Sequence, residues 1–159
     1  MSGILTIAAL AALAAQAERE LPDWLEGEWN CRVERTAGEQ VVRSEHWLRD
    51  DWMGLTGTMQ VGPSGADAPP SREAFARILP LSGGLNLTYM AGGATRSYRL
   101  VQSGERELVF EAEDGQAPER IAWRRGDFSL TATHSRRDGS GAQSWRYARA
   151  GIHTGMPDC

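Results

Sequence analysis

Residues 21–36 read LPDWLEGEWNCRVERT, and the second half of that stretch decides the fold. Trp29, Cys31 and Val33 share one side of an extended segment, while Glu28, Asn30, Arg32 and Glu34 take the other. A period of two with one apolar side is the signature of a half-buried strand. Pro22 to Leu25, just before it, reads as a short turn or helix. The same alternation recurs in VVRSEHWLRD (41–50), WMGLTGTMQV (52–61), REAFARILPL (72–81), LNLTYMAG (85–92) and TRSYRLVQ (95–102). It continues in ELVFEAE (107–113), ERIAWRR (119–125), FSLTATHS (128–135) and QSWRYARA (143–150). Turn-forming pairs separate these runs, among them Ser82-Gly83-Gly84, Gly92-Gly93, Ser103-Gly104, Asp114-Gly115 and Asp138-Gly139. About ten short strands at near-regular spacing, with no long helix among them, predict an all-β chain folded as an antiparallel barrel or sandwich. A meander of hairpins that closes on itself also removes exposed strand edges.

Composition fits one domain. The chain has 159 residues, 41% hydrophobic and 24% charged, enough to bury a single core. The net charge of -4, with both signs scattered, argues against nucleic acid, which calls for a basic stripe. All seventeen basic residues are arginine, so lysine Schiff-base chemistry is excluded. Residues 4–15 form an apolar run followed by Ala15-Gln16-Ala17, the pattern of a cleaved export signal, although no basic residue precedes the run. The run is too short for a comfortable membrane span. The organisation expected is a signal peptide over 1–17, a barrel domain over 18–150 and a tail over 151–159. The expected setting is periplasmic or secreted, with no stable membrane insertion after cleavage. In such a compartment Cys31 and Cys159, the two cysteines, can form a disulfide. The alternative is a buried thiol and a frayed terminal one. Residues 61–73, rich in Gly, Pro, Ser and Ala, are long for a hairpin loop and read as a flap or a plain surface insertion.

Candidate chemistry centres on RSEHWLRDDW (43–52). Neighbours in a strand point to opposite sides, so Glu45 and His46 do not share a pocket without a bulge. Ser44 and His46 share a side but stand about 7 Å apart, too far for a nucleophile and its base. His46 is therefore a polar contact or a lone acid-base group. In REAFARILPL, Phe75, Arg77 and Leu79 share one side, and Ala74, Ala76 and Ile78 the other. If the larger set faces inward, Arg77 is buried and needs a carboxylate or an anionic ligand; Glu45 is the natural protein partner. Six tryptophans, with Tyr89, Tyr98 and Tyr147, fall in or beside strands and either wall a pocket or fill the core. Glu45, His46, Arg77, Tyr89 and Trp123 are the candidate ligand contacts. His46, His134 and His153 are widely spaced and form no metal-ligand pattern, so no metal and no cofactor is expected.

Several segments resemble an uncharacterised bacterial family of small exported lipocalin-like barrel proteins. The opening W-L-x-G-x-W is met by Trp24, Leu25, Gly27 and Trp29, the family's E-H-W by Glu45, His46 and Trp47, and its F-x-R-I by Phe75, Arg77 and Ile78. The similar stretches run from Leu21 to Ala150. One motif departs: where the family has N-P-x-H-D-F-P, this chain has AEDGQAP (112–118), so any role of that histidine-aspartate pair does not carry over. The resemblance implies a closed calycin-type barrel and export, and no reaction.

Such a barrel holds a small hydrophobic or amphiphilic molecule, anionic or carbonyl-bearing if Arg77 meets it. A cofactor-free isomerase, lyase or hydrolase with His46 as acid or base is the alternative. Haem bound through His46 or His153, as in nitrobindin-like barrels, is a third reading, and a ligandless structural or stress role a fourth.

Overall fold

The computed structural model describes residues 20–34, 40–63, 69–151 and 155–159. The segment expected to be a signal peptide, residues 64–68 of the long loop, and His153 lie outside the described residues.

The alternating segments form ten strands: β1 Gly27–Glu34, β2 Gln40–Arg49, β3 Leu55–Pro63, β4 Ser71–Leu81, β5 Gly84–Ala91, β6 Ala94–Gly104, β7 Glu107–Ala112, β8 Arg120–Arg125, β9 Ser129–Ser135 and β10 Gln143–Arg149. Each pairs antiparallel with its neighbours in sequence, and β10 returns to β1 to close the barrel. The chain is thus an all-β, up-and-down barrel. Side chains of one parity fill the interior, with Trp29, Trp47, Trp123, Tyr98, Tyr147 and Phe110 the largest of them, each at most 1% exposed.

Large rings on one strand demand small residues beside them. Across β2, β3, β4 and β5 the register aligns Trp47, Gly57, Ala76 and Tyr89 in one inward row. A β-carbon at Gly57 would lie 2.7 Å from the Trp47 ring. This row corrects the expectation for β4. Its small set, Ala74, Ala76 and Ile78, faces the core, and Phe75, Arg77 and Leu79 face out. The interior there is already occupied by indole and phenol rings, so volume, not hydrophobicity, decides which side of β4 points in.

One end of the barrel, where β1 begins, is plugged. The 3₁₀ turn Asp23–Leu25 drives Leu25 into the core, and the Trp29 indole donates to the Leu25 carbonyl at 3.0 Å. Arg49 pins the turn from outside through ion pairs with Asp23 and Glu26. At the seam, Trp29 pairs with Arg149 and Asn30 with Ala148. Further along β1 the tail takes over. The Arg32 amide donates to the Pro157 carbonyl at 2.8 Å, and the Cys159 amide donates to the Arg32 carbonyl at 2.9 Å. A disulfide joins Cys159 to Cys31, 128 positions away. The tail is therefore a short parallel extension of the wall.

Candidate functional site

β2 threads three polar or aromatic side chains into the interior, Arg43, Glu45 and Trp47. Their common parity follows from Trp47, whose ring lies over Gly57 on the adjacent strand. Glu45 is 3% exposed and sits at the centre of the barrel. One of its oxygens, Oε2, accepts hydrogen bonds from the indole N–H of Trp47 and of Trp123, each at 3.0 Å. The two indoles meet edge-on at 5.2 Å. Tyr147 faces the same carboxyl. Burial pushes the Glu45 pKa above the usual carboxylate range, and the hydrogen bonds from Trp47, Trp123 and Tyr147 with the positive charge of Arg43 oppose it. Burial and the donors thus act against each other on this carboxyl: burial disfavours its charge, and the three donors with Arg43 support it.

From Glu45 the inward side chains continue toward the end at which the even-numbered strands start. Arg43 lies there with its guanidinium over the Trp145 ring, 4.3 Å from the centroid. Its Nη2 pairs with Glu73 at 2.7 Å, while its buried Nε–H has no partner. Glu73 reaches this position through an irregularity in the β3–β4 ladder. Met59 pairs with Ala74 and Gln60 with Arg72, so Glu73 is skipped. An extra residue of this kind re-aims a side chain that strict alternation would send elsewhere. His134 on β9 completes the group, edge-on to Tyr89 at 5.6 Å and to Trp145 at 5.0 Å. Burial first, then the nearby Arg43 charge, lower the His134 pKa to about 4, so its imidazole is neutral at pH 7. Burial likewise raises the Tyr89 and Tyr147 hydroxyls above their ordinary value, which keeps them protonated donors.

Solvent reaches this group. The Arg43 side chain is 21% exposed and that of Glu73 40%, and His134 and Trp145 are half-buried. A depression of about 340 Å³ adjoins Glu73, between the start of β4 and the turn from β5 to β6, with Phe75 and Met90 in its lining. A larger one, about 620 Å³, lies at the plugged end between residues 20–24 and the turn from β6 to β7. Neither depression is lined by Arg43, Tyr89, His134 or Trp145; of that group only Glu73 borders the first.

The five candidates from the sequence divide. Glu45, Tyr89 and Trp123 are brought together inside the barrel. His46 and Arg77 are not. His46 is exposed on the outer wall, in register with Glu28 and Thr58. Being next to an inward Glu45, it points outward by strand geometry. Arg77 also faces out, where Asp50 accepts from it at 3.1 Å, so it forms no pair with Glu45. Asp50 is organised for that contact. Its carboxylate accepts from the amides of Gly54 and Trp52, which hold its pKa below the usual range together with Thr56 and Arg77. Among the described residues the inward cation is Arg43 and the inward histidine is His134. Parity ties Arg43 to the side of Trp47, but Gly57 on β3 decides that this side faces in; no local pattern marks Glu73.

No family model, no curated protein and no solved structure matches this chain.

Proposed function

We propose that this chain is an exported, lipocalin-like binding protein that holds a small apolar or amphiphilic molecule at the solvent-reached end of its barrel. One observation carries the reading. A cation, a neutral imidazole and two aromatic rings, from Arg43, His134, Tyr89 and Trp145, converge inside a barrel whose opposite half is packed with indole and phenol rings. Groups needed only for stability would be apolar there, because an inward arginine with an unpartnered donor costs stability. A ligand would rest on the aromatic edges and offer an acceptor to Arg43. The packed half, with Glu45 at its floor, sets the depth to which it enters. The disulfide supports an oxidising compartment, periplasmic or extracellular, and the ten-stranded closed meander is compatible with the calycin architecture that the sequence resembles.

Native mass spectrometry of the protein purified from its own host tests this. The expected spectrum shows a small molecule retained on the folded chain, lost from Arg43→Ala and from Trp145→Ala while the outer-wall control His46→Ala keeps it. A bare protein mass under conditions that preserve the fold would count against binding. Equal retention in the Arg43 and Trp145 variants would remove this end of the barrel as the site.

A further inference from the structure

The geometry points to a flat apolar molecule bearing a carboxylate, which takes Arg43 away from Glu73; this rests on the binding reading above. The Arg43 guanidinium lies over the Trp145 ring, 4.3 Å from its centroid. In that pose Nη2 meets Glu73, but Nε–H, on the same edge of the fork, meets nothing. A carboxylate has two oxygens at the spacing of that edge and satisfies both donors at once. Glu73 supplies one contact and is the most replaceable partner in the group, at 40% side-chain exposure and on a ladder irregularity. Ion pairs of that exposure are weak and exchange readily. Once Glu73 leaves, both Nη2 and Nε of Arg43 are open to a new acceptor. The flat body has its surfaces ready in the edges of Tyr89, His134 and Trp145.

Matched probes test the charge separately from the site. 2-Naphthoate and indole-3-acetate, each beside its primary amide, are titrated at pH 7 by calorimetry and by quenching of tryptophan fluorescence. Each acid is expected to bind at least about tenfold more tightly than its amide, the factor a charge-assisted pair commonly adds. Glu73→Gln removes the internal competitor, so it should tighten the acids by about two- to fivefold and leave the amides unchanged. Arg43→Met should abolish the preference for the acid. Acids and amides that bind alike would overturn the carboxylate while leaving this end of the barrel a ligand site. Failure of all four probes on the wild-type protein would also overturn it, and the host-purified mass spectrum then judges the binding reading by itself. Should Arg43→Met fail to fold by circular dichroism, Glu73→Gln still decides, because looser binding of the acids in that variant contradicts displacement.

Discussion

Gly57 lies beneath the Trp47 ring, and a β-carbon there would stand within 2.8 Å of three of its ring carbons. The ring is fully buried and has no room to retreat. Gly57→Ala should therefore cost about 1–3 kcal/mol, the range for overpacking a filled core. Urea denaturation monitored by fluorescence would show it as a lower midpoint, and a variant as stable as the parent would mean that the indole shifts freely. The same scale explains the contrast between Glu45 and His46. Adjacent letters in a strand end on opposite sides of the wall, one bonded to two indoles and the other in water. That they must part was legible from alternation; which went in was not, because both orientations leave one bulky apolar residue, Trp47 or Leu48, outside. The tie is broken by Gly57, a residue on another strand.

At the scale of elements, β4 shows how hydrophobic ranking misleads. Phe75 and Leu79 are more apolar than Ala74 and Ala76, yet the alanines line the core. Inside a narrow barrel the volume left by neighbouring rings sets the choice, and that volume belongs to strands far away in sequence. The same strand carries the irregularity that turns Glu73 toward Arg43, a feature with no Gly or Pro at the spot to announce it. The tail is the other element whose place came from the tertiary structure. Residues 155–159 extend the wall along β1, and the disulfide ties them there. Cys159→Ser is expected to release this strip and lower stability by up to about 5 kcal/mol, the chain-entropy value for so long a loop. A thermal melt with and without reductant measures it. The parent should fall to the level of the variant on reduction, and a melt indifferent to both changes would show that backbone pairing alone holds the tail.

For the whole molecule, pH dependence sums opposing buried groups. His134 has a native pKa of about 4 against an ordinary 6.5. Between those values the unfolded chain binds a proton that the native chain does not, so stability falls as pH drops from 6.5 toward 4 and levels off below. The loss is at most about 3 kcal/mol. Glu45 acts with the opposite sign. Its native pKa is raised, so the native chain holds the extra proton above pH 4.5, and stability is lost as pH rises through that raised value. Asp50 and Asp138, both lowered, add losses only as pH falls below about 3.8, outside the histidine window. His134→Phe keeps a ring against Tyr89 and Trp145 but removes the titration. Its denaturation midpoints at pH 7.5, 5.5 and 4.5 should decline less steeply than those of the parent. Parallel declines would show that His134 is protonated without cost and so is open to water.

Period-two alternation, the turn pairs between runs and the lack of any long helical pattern determined by themselves that this chain is an antiparallel meander of about ten strands. These are local properties, because backbone geometry and side-chain parity act over a few residues. The tertiary structure alone decided which parity of β2 and β4 faces inward, that Arg43 and His134 rather than Arg77 and His46 enter the barrel, and that the tail seals the seam. Those outcomes depend on how much space the rings of Trp47, Trp123 and Tyr147 leave once the wall closes, and volume in a closed wall is shared among residues that sequence keeps far apart.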